Sequence, residues 1–249
     1  MRKKYALILS LLLTGLIFST FYLFSANQAS KRENKESVLV TRVIDGDTFV
    51  SSNNRTNRLL NINTFEKGER GYEEAKTFVK NYENKTLEIE ILGRDKYNRN
   101  LVRVYAPDYL NLRIVQEGLA SKFLVDKSEL RAFAEAEEKA IKEQRGNWRK
   151  SPYFGCLSAS INKKGEIVYI TNKCQNISFD GWFLKDESRK KYTFHLKNAS
   201  YLEIHSGKGI NTSNILHWGQ AQSIWNDDRD TLYIFDSQGR IVYHESYGY

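Results

Sequence analysis

The stretch Val38-Leu-Val-Thr-Arg-Val-Ile-Asp-Gly-Asp-Thr-Phe-Val50 decides how the rest of the chain is read. Two runs rich in β-branched residues, 38–44 and 48–50, flank Asp45-Gly46-Asp47, and an Asp-Gly step between such runs is a strong hairpin signal. Working outward, residues 57–62 read as a third strand. The period then lengthens: Tyr72, Ala75, Phe78, Val79 and Tyr82 recur at helical spacing. Residues 86–92 alternate again as a strand, and 101–105 form a fifth beyond a polar turn. Residues 110–119 read as a second helix closing at Gly118. Ser128 is placed to cap a third, with Leu130, Phe133, Ala134 and Ile141 on one face and Gly146 at its end.

Five strands with helices interleaved in this order suit a closed barrel of the oligonucleotide/oligosaccharide-binding type. Composition shifts at Ser151, and beyond it come short strands (166–171, 180–184, 191–194, 201–204, 230–235 and 240–244) with no convincing helix. The expected fold is mainly β with α: a five-stranded barrel with three helices over 37–150, then an immunoglobulin-like β-sandwich over 160–249. Residues 1–36 and 151–159 are left as an N-terminal targeting segment with its linker and as a second linker.

A hydrophobic fraction of 41% and a charged fraction of 27% belong to a globular protein and exclude long disordered tracts. The net charge of +8 is uneven: +4 falls in 1–37, +3 in 38–150 and +1 in 151–249. Half of the excess thus sits where membrane targeting explains it as well as nucleic-acid binding does. Arg2, Lys3 and Lys4 precede an uncharged stretch, apolar to Phe24, and then Lys31 and Arg32. That is an export signal, and its apolar run of about 20 residues is close to a bilayer span. An uncleaved membrane anchor and a cleaved signal (a secreted protein) both remain open, because Ala26 and Ala29 are poorly spaced for cleavage. The even count of two cysteines in an exported chain favours a Cys156–Cys174 disulfide over two buried thiols. Neither has a histidine at zinc-ligand spacing.

Asp45 and Asp47 at the hairpin turn, Arg58 opening the third strand, Asn63, Thr64 and Glu66 closing it, and Arg99 in a later turn are polar where a barrel alone would not need them. Ile44-Asp-Gly-Asp-Thr48, Arg58-Leu-Leu-Asn-Ile-Asn-Thr-Phe-Glu66, Asp95-Lys-Tyr-Asn-Arg99 and Gln116-Glu-Gly-Leu-Ala120 together resemble the staphylococcal thermonuclease family over about 38–150. The resemblance implies a calcium-dependent phosphodiesterase on DNA and RNA, with calcium or another divalent ion as cofactor. It makes Arg58 and Arg99 the phosphate clamp and Glu66 the general base. Asp47, Thr64 (by its carbonyl) and Asn63 become metal ligands, Asp45 an acid beside the metal, and Lys96 and Tyr97 substrate contacts. Two positions depart from the pattern. Asn63 stands where the family has a second metal-binding Asp, and Phe65 where it has Pro; the family's nucleotide-binding tyrosines fall near Leu124 and Asp126.

Asp180-Gly-Trp-Phe-Leu184, Tyr192-Thr-Phe194, Trp225-Asn226 and residues 230–236 resemble a lamin-tail domain. Trp182 and Trp225 read as core, and His195, His205, His217 and His244 as scattered surface or packing residues. That domain is expected to be an accessory module attaching the nuclease to a surface, a partner or its substrate. The main alternative is a barrel that binds nucleic acid or protein at the cell surface without cutting.

Overall fold

The computed structural model describes residues 15–20, 22 and 35–249. Among these no helix is long and apolar enough to cross a membrane. Most of the segment expected to be a signal or anchor lies outside the described residues.

Five strands close the barrel in the order β1 (Lys35–Asp45), β2 (Thr48–Ser51), β3 (Thr56–Leu59), β6 (Asn100–Tyr105) and β5 (Thr86–Arg94). Only β3 and β6 run parallel. The alternation read from the sequence points Val38, Val40, Ile89, Val102 and Val104 inward. Helices α1 (Tyr72–Lys80), α2 (Leu110–Gln116) and α3 (Leu130–Lys142) lay Ala75, Val79, Ile114, Val115 and Phe133 against the same core.

The third strand is not continuous. Asn61 takes a left-handed φ of 68°, the chain turns, and β4 (Ile62–Thr64) leaves the barrel to pair with β7 (Ala120–Lys122). Asparagine tolerates that region better than most residues. The turn carries Asn63 and Thr64 off the barrel wall toward Asp47. The third helix also differs from expectation: Glu129 precedes it with no side-chain cap, and Ser128 Oγ donates to Asp126 at 2.5 Å. A nearby carboxylate is the stronger acceptor.

The second domain is a sandwich of two four-stranded sheets. One has the order β11 (Lys191–Thr193), β10 (Phe183–Lys185), β14 (Asp230–Phe235), β15 (Ile241–Tyr247). The other runs β13 (Ile215–His217), β12 (Tyr201–His205), β9 (Ile167–Asn172), β8 (Leu157–Asn162). Trp182 and Trp225 lie in the core between them. The expected strands omit β13 and β8, and β8 begins inside the stretch set aside as linker. Cys156 and Cys174 are joined in a disulfide.

No free linker separates the domains. Ser151 N–H donates to the Ile241 carbonyl at 2.9 Å and Ile241 N–H to that of Arg149 at 3.0 Å, adding the chain to the edge of β15. All six residues of β14 are buried, because Leu232 and Ile234 face the sandwich core while Tyr233 and Phe235 face the barrel. Trp148 stacks on Tyr233 and Phe235, with ring centroids 5.4 and 6.2 Å away.

Lys185 is enclosed in this interface, its Nζ 4.3 Å from the Phe65 ring centroid. Burial pulls its pKa down to about 8. The unfolded chain keeps this proton up to about 10.5 while the folded chain releases it near 8, so stability rises as pH climbs between those values. Lys185→Met is expected to raise stability at pH 7 by about 1–3 kcal/mol and to flatten that rise. Urea unfolding at pH 7 and pH 10 checks both, and a Met variant weaker at pH 7 would contradict the account.

Candidate active site

The site lies where the β1–β2 hairpin, the end of β3 and the β4 turn meet. Gly46 is required at the hairpin tip: a Cβ there would lie 2.6 Å from the Ala75 Cβ and 2.9 Å from Thr64 Cγ2. Asp47 N–H donates to Asp45 Oδ1 at 3.0 Å, a local turn that fixes the Asp45 carboxylate.

Asp47 is only 2% exposed. Its Oδ2 accepts the Thr64 N–H and Thr64 Oγ1, each at 3.0 Å, and stands 3.1 Å from Arg58 Nη1. Its Oδ1 accepts Thr48 Oγ1 at 2.9 Å. Burial pushes this carboxyl up, but Arg58, the Thr64 N–H, Arg189 and Thr48 together hold it below the ordinary carboxylate range. Asp45 is pushed up to about 6, by burial first and then by Asp47 beside it.

Arg58, 5% exposed, donates from Nη1 to the Leu59 carbonyl and from Nη2 to the Ile62 carbonyl and Asn63 Oδ1, at 3.0, 2.9 and 2.5 Å. A buried guanidinium held this way loses little freedom on meeting an anion. Burial, with Arg189 and Arg99 near, draws its pKa below the usual arginine value against the pull of Asp47. Arg99 is anchored differently. Its Nε donates to Asp95 Oδ2 at 2.7 Å, which leaves the outer fork of the guanidinium for a ligand. Asp95 Oδ1 also takes the N–H groups of Tyr97 and Arg99, at 2.9 and 3.0 Å, shaping the β5–β6 turn. Tyr97 is 68% exposed, with Lys96 Nζ and Arg99 Cζ 5.1 and 5.4 Å from its ring centroid.

Two expected residues have partners the sequence did not foretell. The Asn63 side chain is committed at both ends: Oδ1 accepts from Arg58, and Nδ2 donates to the Glu187 carbonyl at 2.6 Å. The Asn63 amide oxygen expected to face a metal is shared with Arg58. Glu66, on the loop after β4, ion-pairs with Arg189. Both partners come from the β10–β11 hairpin of the second domain, whose Lys191 also lies 3.6 Å from Glu69. Glu187 and Arg189 went unread because a Glu-Ser-Arg turn in a sandwich carries no local sign of what it faces. Nor are all the histidines scattered, since the rings of His205 and His217 lie 5.1 Å apart on neighbouring strands.

Asp45 and Asp47 are desolvated, mutually repelling carboxylates with the neutral oxygens of Thr48 and Thr64 adjacent. Such hard oxygen donors suit a divalent cation of the calcium or magnesium class. Among the described residues no group of three or more acidic, histidine or cysteine side chains is placed to hold a metal ion.

Both domains match known families. Residues 56–150 match the staphylococcal nuclease homologue family and residues 156–249 the Lamin Tail Domain family. A thermonuclease of Staphylococcus intermedius is 32% identical over 130 residues, an alignment spanning 46% of this chain and 77% of the relative. The chain belongs to the staphylococcal nuclease family, and its second domain matches the Lamin Tail Domain family.

Proposed function

We propose that this chain is an exported, metal-dependent endonuclease that hydrolyses phosphodiester bonds in DNA and RNA at or outside the cell surface. The observation that carries the reading is the buried Asp47–Arg58 pair, with Arg99 near enough to act on Arg58 and Glu66 on the loop after β4. A phosphodiester is anionic and resists attack, so its hydrolysis needs charge neutralised and a water activated. Arg58 and Arg99 grip phosphate oxygens and meet the charge that grows on phosphorus. Glu66 takes the proton from the attacking water. Lys96 and Tyr97 flank the entering strand, the ring offering a face to a base. Asp47, Asp45 and the Thr64 carbonyl are the residues that would hold calcium. When bound, the ion supplies Lewis-acid stabilisation of a phosphate oxygen. The N-terminal segment carries the nuclease across the membrane, as an anchor or a removed signal.

The full chain, incubated with labelled single-stranded DNA and RNA, is expected to cut both with calcium and to slow by at least about 100-fold in excess chelator. Absence of cutting with any divalent ion would leave the rival reading, a binding barrel, which draws on the commitment of Asn63 and the pairing of Glu66.

A further inference from the structure

The tip of the β10–β11 hairpin is built as firmly as the barrel turn it faces. Asp186 closes it, its Oδ1 accepting the Lys190 N–H at 3.0 Å and its Oδ2 the Ser188 hydroxyl at 2.6 Å. The Glu187 side chain is sunk into the domain interface, taking hydrogen bonds from Thr231 Oγ1 and Tyr249 Oη at 2.6 and 2.5 Å. Its carbonyl turns the other way, to Asn63. An aspartate at 63 could not donate that bond and would set a carboxylate oxygen against the carbonyl. The departure from the family pattern is thus accounted for by the docked hairpin.

Two residues past this latch, Arg189 is held at a φ of 76°, in the left-handed region that arginine rarely adopts. From there its guanidinium reaches Glu66 and acts on the charges of both Asp47 and Arg58. The pair with Glu66 is partly solvated, the side chains being 28% and 59% exposed. An ion pair of that kind is worth about 0–1 kcal/mol, so an incoming phosphate can compete for the arginine. Its planar fork matches phosphate oxygens as those of Arg58 and Arg99 do.

We propose that Arg189 is a third phosphate-binding arginine of the nuclease site, supplied by the lamin tail domain, which holds Glu66 until a phosphodiester displaces the carboxylate. The proposal rests on the nuclease reading, and binding distinguishes its failure from the failure of that reading.

The test uses the full chain as wild type, Arg189→Ala and Arg189→Lys, with a fluorescent single-stranded DNA oligonucleotide held uncut in chelator. Arg189→Ala is expected to bind about 5–10-fold more weakly and to lose roughly 0.7 from the slope of log affinity against log salt, one phosphate contact. Arg189→Lys should recover part of the affinity and most of the slope. With calcium, Arg189→Ala should lower kcat/KM by about 10–100-fold. Its melting temperature should stay near that of the wild type, because the ion pair it loses is partly solvated. Unchanged affinity and slope would overturn the proposal. So would faster cutting by Arg189→Ala, which would make the hairpin a plug. A wild type that binds with the expected Arg189 dependence yet never cuts would retire the nuclease reading alone; a wild type that does not bind overturns both.

Discussion

Glu66→Gln is expected to lower single-turnover cleavage by about 10²–10⁴-fold while leaving oligonucleotide affinity within a few-fold of wild type. Glutamine has nearly the same shape and keeps an oxygen for Arg189, so packing and loop position survive the change. What it lacks is a site for the proton of the attacking water. The backbone supports so narrow an effect, because the Glu66 N–H is held by Glu69 Oε2 at 3.1 Å whatever the side chain does. Rate and affinity should therefore separate. A Gln variant that cuts at the wild-type rate would remove Glu66 from the chemistry and leave Arg58 and Arg99 as a binding site.

Lys122→Met is expected to destabilise the chain by about 3–5 kcal/mol, the largest effect of a single substitution outside the site. The Lys122 side chain is 1% exposed, 2.5 Å from Glu137 and 3.5 Å from Glu187, and its Nζ also donates to Thr231 and Ser246. One cation thus neutralises a carboxylate from the barrel helix α3 and another from the hairpin of the second domain. Burial pushes Glu187 up to about 7 with Lys122 foremost among the groups opposing it. Methionine fills the space and leaves both carboxylates without their partner. For a protein of this size the loss corresponds to a fall of about 6–20 °C in melting temperature. Because Glu187 carries the carbonyl that meets Asn63, oligonucleotide binding should weaken as well. A fall equivalent to less than about 1 kcal/mol would show that the two acids tolerate the interface without the lysine.

The barrel was legible because alternation is a direct record of burial. Val38 and Val40, and Val102 and Val104, fall on one face at a spacing of two, and that face is the core. The polar residues from Asp45 to Arg99 were legible through their order and spacing, which resemble those of the thermonuclease family; each alone would pass as a turn or surface residue. The break at Asn61 was not. Leu59, Leu60 and Ile62 read the same whether the chain continues straight or turns at Asn61 onto another strand. The second domain's contact with the barrel did leave a trace, in the unbroken run Leu232-Tyr-Ile-Phe235. In an antiparallel sheet with one wet face, every second residue of that run should be polar. Here the outward face meets Trp148 and α3 instead.

The sequence by itself determined the barrel, the sandwich and the order of the candidate site residues, since period, turn chemistry and residue type are local properties. The pairing of Asn63 with Glu187 and of Glu66 with Arg189 was decided only by tertiary structure. Those contacts join residues more than 120 positions apart. Their existence depends on the angle at which two folded domains meet, set by the burial of Trp148, Tyr233 and Phe235 and by the charge balance at Lys122. No spacing along the chain encodes that angle, because it follows from the shapes of both domains once each has folded.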